Sequence, residues 1–424
     1  MKPVIGFAGL THLGLLSAAG AASKGFRAVG YDPDAARVKE IAAGKLPVLE
    51  PGLPELIAGA GDKLAFTSKP VDLGACDIVY IASDVPTDDR GQSDLSGIRA
   101  LIASVAPVLN KSALLVVLCQ VPPGFTSALD FPRERRFYQV ETLVFGRAVE
   151  RATQPERFIV GCPDPGKKLP AAYAAFLGAF GCPILPMRYE SAELAKIAIN
   201  CCLVASITVA NTLAELSECI GADWREIVPA LRLDKRIGKD SYITPGLGIA
   251  GGNLERDLAT VLRLAEAAGS DASVIAAYLH NSRHMRDWAL RTLRREVLGA
   301  KPDAVLAVLG LAYKENTHST KNSPSLALIA QLKSQRLRLF DPVVPASAAG
   351  HPGAVGAASA LEAAKGADAV LVMTPWPEFR GIAPGNLARV MAGRTVIDPY
   401  RVLDPAGMRA ANLRHFVLGS PVKA

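Results

Sequence analysis

The stretch Val4-Ile5-Gly6-Phe7-Ala8-Gly9-Leu10-Thr11-His12-Leu13-Gly14 decides how the first part of this chain folds. Val4–Ala8 reads as a buried strand, small and apolar residues continue as a helix from about Leu13, and Arg27–Tyr31 reads as a second strand closed by Asp32. Gly9 opens the tight turn and Gly14 lets helix and sheet pack closely. The position between them, where a third glycine would let the backbone approach a pyrophosphate, is Thr11. Gly9 to Gly14 is therefore a partial dinucleotide fingerprint, with the Thr11 hydroxyl as a candidate donor to a phosphate. Asp32 strengthens it, because a carboxylate there accepts ribose hydroxyls and repels a 2′-phosphate, which points to NAD over NADP. The competing reading is a flavodoxin-like unit whose glycines serve packing and which binds nothing.

Outward from this unit the strand–helix alternation continues. Strands are expected at Ile78–Ser83, Leu114–Cys119 and Phe158–Gly161, which implies right-handed crossovers and a parallel sheet. Glu190–Ile220 stays helical without Pro or Gly, the length of a helix that runs between domains and carries a dimer interface. A second α/β region follows, with strands at Ala304–Gly310, Leu337–Phe340, Ala369–Met373 and Thr395–Asp398 and a helix at Pro324–Leu332. Ala346–Ala360, rich in Ala and Gly, reads as a surface connection.

Composition fits this layout. A chain of 424 residues exceeds one ordinary core, and 50% apolar with 21% charged residues is the balance of a globular enzyme. The net charge of +7 suits anionic ligands, but the basic residues are scattered, so no nucleic acid is expected as a partner. The seven cysteines form no CxxC pair and no spacing with His, so they read as reduced core thiols of a cytoplasmic protein, with no metal. The apolar start is broken by spaced glycines and runs into a strand, unlike a signal peptide. No other stretch has the ~20 uninterrupted apolar residues of a membrane span, so no membrane is expected.

Residues 246 to 257 read G-L-G-I-A-G-G-N-L-E-R-D, a glycine-dense loop running into an acid. It resembles the active-site loop of the UDP-glucose/GDP-mannose dehydrogenase family, roughly G-x-G-x-G-G-x-C-x-x-K-D. Asn253 stands at the place of the nucleophilic Cys, and Arg256 at that of the Lys. The resemblance covers nearly the whole chain: Glu50-Pro51-Gly52-Leu53, Asp94-Leu95-Ser96 ahead of a helix, Val121-Pro122-Pro123-Gly124, and Glu193, Lys196, Asn200 and Asn211 on the long helix. It continues through Gly310-Leu311-Ala312-Tyr313-Lys314, Ser323-Pro324-Ser325, Asp341-Pro342, Trp376 and Asp398. Departures cluster in the pocket: Gln120 replaces a Thr, Phe145 replaces the second acid of N-P-E-F-L-R-E-G, and Lys321 replaces an Arg fork.

The resemblance implies two Rossmann-like, doubly wound parallel-sheet α/β domains joined by a central helical region. Expected bounds are 1–189 for the NAD-binding domain, 190–299 for the central dimerisation domain and 300–424 for the nucleotide-sugar-binding domain. It also implies NAD as cofactor, a nucleotide sugar as substrate, and a homodimer through the long helix. Implied cofactor contacts are Gly9, Thr11, His12, Leu13, Gly14, Asp32, Val85, Gln120 and Lys314. Implied substrate contacts are Phe145, Tyr242, Gly248, Gly251, Tyr313 and Lys321, with Lys196, Asn200, Asp257, Asn253 and Glu141 as catalytic positions.

Hydride removal from an alcohol carbon needs a held cofactor, a proton acceptor and a cation for developing oxyanion charge. Lys196 can supply the cation, Asn200 a fixed donor, and Asp257, directly or through water, the acceptor. The bland alternatives are an i,i+3 surface pair of Lys196 with Glu193 and a helix-start charge for Asp257 ahead of Leu258–Ala268. Asn253 cannot form the hemithioacetal that carries an aldehyde to an acid, so a two-electron oxidation of a nucleotide-linked sugar alcohol is expected. The alternatives are a four-electron oxidation through the hydrated aldehyde and a nucleotide-sugar-binding protein without turnover.

Overall fold

The computed structural model describes residues 2–88 and 91–421. The chain divides into two compact units, Met1–Ile199 and Asn200–Ala424.

The first unit is built on an eight-stranded sheet: β1 (Ile5–Ala8), β2 (Ala28–Tyr31), β3 (Leu64–Thr67), β4 (Ile78–Ile81), β5 (Leu114–Val117), β6 (Arg136–Gln139), β7 (Phe158–Gly161) and β8 (Ile184–Met187). The order is β3-β2-β1-β4-β5-β6-β7-β8, so the direction of winding reverses between β1 and β4. Pairs are parallel except β6 with β7, where Tyr138 faces Gly161 antiparallel, a departure from the purely parallel sheet expected. Successive residues feed two apolar faces. Phe7, Tyr80 and Val116 join one core cluster, while Ala8, Ile81 and Val117 join the other.

The helix His12–Ser23 is buried nearly all round, which its small residues permit. A Cβ on Gly14 would lie 1.7 Å from the Gly9 carbonyl oxygen, so only glycine lets the helix start this close to the turn. Three strands of the first sheet, β3, β6 and β8, escape the sequence pattern. The outer two are half-exposed edges and β6 begins in charged residues, so pairing rather than apolar periodicity makes them strands.

The second unit holds helices Trp224–Leu233, Asn253–Ala268, Ser273–Arg286 and Trp288–Leu293 together with a six-stranded parallel sheet. Its strands are β9 (Val305–Leu309), β10 (Arg336–Phe340), β11 (Ala354–Gly356), β12 (Ala369–Val372), β13 (Thr395–Ile397) and β14 (Arg414–Phe416), in the order β11-β10-β9-β12-β13-β14. The segment expected as a bare surface connection therefore contributes an edge strand, β11, beside a short 3₁₀ turn at Ala346–Ala349. The helix of this sheet expected to reach Leu332 ends at Ile329.

The long helix Tyr189–Ile220 begins in the first unit and ends in the second. By length and composition it could cross a membrane, although Asn200, Ser206, Thr208 and Asn211 interrupt its apolar run. Its first turns nevertheless carry Glu193 and Lys196, both held by polar partners of the protein.

Candidate active site

In the first unit the candidate cofactor residues gather at the carboxyl ends of β1, β2, β4 and β5, on either side of the point where strand order reverses. Open α/β sheets bind ligands at that place. Gly9 has φ +96°, and a Cβ there would meet Ser83 at 2.8 Å. The Asp32 carboxylate at the end of β2 is buried and accepts the N–H of Leu10 at 2.8 Å, that of Asp34 at 3.0 Å and the Arg37 guanidinium at 2.9 Å. The turn, the glycines and the placed carboxylate fit a dinucleotide. The Thr11 hydroxyl oxygen accepts the Asp84 N–H at 2.9 Å and makes no cap on its own helix.

His12 is buried against two groups. Its ring stacks on Phe145 with centroids 4.1 Å apart, and Nε2 lies 3.3 Å from Glu50. Glu50 also accepts the N–H of Gly146 at 3.1 Å and of Ala148 at 2.8 Å, so it pins the segment that carries Phe145. That role was not foreseen, since the partners lie 96 and 98 residues apart and only the E-P-G-L motif marked Glu50. Val85 and Gln120 follow β4 and β5, both half-buried.

Lys196 pairs with Glu141 at 3.3 Å and not with Glu193. Glu193 is fully buried, accepting the N–H of Gly124 at 2.6 Å and of Thr126 at 2.8 Å, and burial raises its carboxyl above the ordinary range. The surface-pair alternative for these two residues is thereby excluded: Glu193 fastens the V-P-P-G turn to the long helix, while Lys196 turns to Glu141.

In the second unit Asn253 is the first residue of the helix Asn253–Ala268, which starts five residues ahead of the expected Leu258. Asp257 lies a full turn inside that helix and is buried, which removes the helix-start reading. Its carboxylate accepts Nδ2 of Asn200 and, at 3.3 Å, Nε of Arg256. One amide hydrogen of Asn200 is thus spent on orienting Asp257.

The loop ahead of Asn253 is fixed from several sides. Gly246 N–H donates to Asn211 at 2.8 Å and Ile249 N–H to the Ser282 hydroxyl at 2.8 Å. A Cβ on Gly248 would come within 2.3 Å of the Ser282 carbonyl oxygen. Gly251 donates to the Lys321 carbonyl at 3.1 Å, accepts Nδ2 of Asn322 at 2.8 Å, and leaves room for the Tyr313 ring, which a Cβ would meet at 3.1 Å. Asn322 also reaches Glu255. Gly251, Tyr313 and Lys321 are therefore brought together, with Asn322 and Ser282 as members the sequence did not reveal. Lys314 lies over the Tyr313 ring at 5.8 Å, and Tyr242 is half-exposed.

The second sheet repeats the device of the first. Gly310 has φ +95° and lies against Thr374, while Asp341 at the end of β10 accepts the N–H of Leu311 at 2.6 Å, as Asp32 accepts that of Leu10. Among the described residues no group of three or more His, Cys, Asp or Glu is placed to hold a metal ion.

Three models of one family match this chain: the NAD binding domain over residues 3–175, the central domain over 190–283 and the UDP binding domain over 307–405. The chain belongs to the UDP-glucose/GDP-mannose dehydrogenase family. It is similar to the UDP-glucose 6-dehydrogenase TuaD of Bacillus subtilis, 27% identical over 97% of this chain and 92% of the relative. The UDP-glucose 6-dehydrogenase of Pseudomonas aeruginosa is 29% identical over 97% of this chain and 96% of its own. Among solved structures, a UDP-glucose dehydrogenase from Pyrobaculum islandicum matches with a TM-score of 0.84 at 26% identity, covering 95% of this chain and 96% of that one. This member of the family is accordingly an oxidoreductase using NAD, with a UDP-binding domain.

Proposed function

We propose that this protein oxidises one alcohol of a UDP-linked, glucose-like sugar by two electrons and releases the carbonyl compound. The bound dinucleotide supplies the hydride acceptor. Gly9, Gly14, Asp32 and Lys314 hold it, and Tyr313 and Lys321 contact the nucleotide-sugar. Asp257, kept in place by Asn200 and Arg256, takes the hydroxyl proton. The Lys196 ammonium, aligned by Glu141, steadies the oxygen as negative charge develops. One observation carries the two-electron reading: Asn253, at the place the loop pattern gives to a nucleophilic thiol, has no group that can form a covalent adduct with an aldehyde. The names of the relatives support UDP-glucose as the first substrate to try. One NADH per substrate consumed, with an aldehyde or ketone trapped as its oxime, is the expected result. Two NADH and a carboxylate would replace it with the four-electron reaction.

Residues 1–189, 190–299 and 300–424 act in this reading as cofactor, dimerisation and nucleotide-sugar parts. The long helix leaves Val209, Leu213, Leu216 and Ile220 exposed by 56, 41, 48 and 67%, a spacing that lines one helix face. A second copy of the chain is proposed to cover it. Sedimentation is expected to give twice the 44.6 kDa chain mass, and Leu213→Asp to give the single mass. An unchanged wild-type mass of one chain would exclude the dimer. The seven free cysteines support a cytoplasmic location.

A further inference from the structure

We infer that the Asp84 carboxylate occupies the anion position at the start of the first helix, so that NAD must displace it to seat its pyrophosphate. The inference rests on the NAD assignment and adds a competitor carried by the chain itself.

The helix His12–Ser23 should be capped by its own Thr11, since a threonine at the residue before a helix normally accepts an N–H of the first turn. It makes no such bond. Thr11 instead accepts the backbone N–H of Asp84 at 2.9 Å, which draws the segment after β4 over the turn. The carboxylate of Asp84 then does the capping, accepting the His12 N–H at 3.1 Å. Two residues of the glycine turn thus exchange hydrogen bonds with one residue 72 and 73 positions later.

A helix start of this kind binds the pyrophosphate of a dinucleotide through the same backbone N–H groups and the same end of the helix dipole. A carboxylate already bonded there satisfies the free helix, but it cannot share the position with a second anion. Like charges a few ångströms apart near a protein surface repel by an amount that costs binding on the order of tenfold. The groups facing Asp84 are the Thr11 hydroxyl and His12 from the first helix, which favour its charged form, and Glu141 from the segment after β6, which opposes it. Glu50 lies behind His12 and Lys196 behind Glu141. Desolvation of the Asp84 carboxylate leads these influences and raises it above the ordinary range, although the residue as a whole is exposed to solvent. Lowering the pH through that raised value neutralises the competitor, so NAD affinity rises as pH falls.

The test is binding, not turnover. NAD, ADP-ribose and adenosine are titrated calorimetrically into the wild-type chain and into Asp84→Asn, which keeps a capping oxygen, with Asp84→Ser as a second variant should the first melt early. We expect Asp84→Asn to bind NAD and ADP-ribose roughly 5- to 20-fold tighter and adenosine unchanged, and to lose most of the affinity gain seen on acidification. Equal or weaker NAD binding by both variants would overturn the inference, as would an equal gain for adenosine, which has no pyrophosphate. If neither the wild type nor the variants bind NAD, the dinucleotide assignment itself falls, and this inference with it.

Discussion

Lys196→Met is expected to lower the rate of NADH formation roughly 10²- to 10³-fold while leaving the affinity for NAD and for the nucleotide sugar within about threefold. That is the size of effect seen when one fixed donor to a developing oxyanion is removed. The side chain is suited to the work. It is 14% exposed, and its partner Glu141 at 3.3 Å is itself 18% exposed, so the ammonium acts in a medium of reduced screening. Methionine preserves the apolar stem and removes the charge. The same loss of rate is expected in Lys196→Arg, because the planar guanidinium cannot occupy the point-charge position against Glu141. Glu141→Gln separates positioning from charge: it keeps the ammonium but loosens its alignment, and a loss of about tenfold is expected. Steady-state rates together with calorimetric affinities check the series. If Lys196→Met turned over within about threefold of wild type, the ammonium would have no place in the reaction and Glu141–Lys196 would be an ordinary structural pair.

How much of this was legible in the sequence depends on the distance over which each requirement acts. The Gly9–Gly14 turn and Asp32 could be read directly, whereas Gly310 and Asp341 stood in the sequence as two separate motifs that only the fold joins. Glycine's steric freedom and a carboxylate at a strand end are needs of a single βαβ unit. Lys196 and Asn200 were legible as one helix face, since four residues make about one turn. Their partners were not. Lys196 finds Glu141 and Asn200 finds Asp257 only because the chain folds back, and the nearest acid in sequence, Glu193, is spent on the backbone of Gly124 and Thr126. Glu50, Ser282, Asn322 and above all Asp84 owe their roles to such closures. Asp84 carries no motif, and its chemistry appears only when the carboxyl end of β4 lies beside the start of the first helix. The misread segments have a related cause. The edge strand β11 is short and rich in Ala and Gly, so its strand character comes from β10.

Asn253→Cys is expected to extend the reaction by a second oxidation, raising the yield from one NADH per substrate towards two. Asn253 is the first residue of a 16-residue helix and is exposed to solvent, so a thiol there is reachable. The helix start favours its thiolate. The sulfur adds to the carbonyl carbon of the aldehyde, forming a C–S bond and a hemithioacetal. Loss of a hydride to a second NAD and of the hydroxyl proton leaves a thioester, and water then releases the carboxylate and restores the thiol. The remodelling at Gln120 and Phe145, implied contacts of cofactor and substrate, bears on the last of these steps as well. If those residues hinder the attacking water, the second NADH appears once per active site and the chain gains the mass of the thioester, visible by intact mass spectrometry. If they do not, carboxylate accumulates with continuous turnover. Either outcome assigns the arrest at the carbonyl to the side chain at position 253. One NADH per substrate from the variant, with no added mass on the protein, would mean that the arrest is set elsewhere in the pocket, and restoring a thiol alone would not restore the four-electron course.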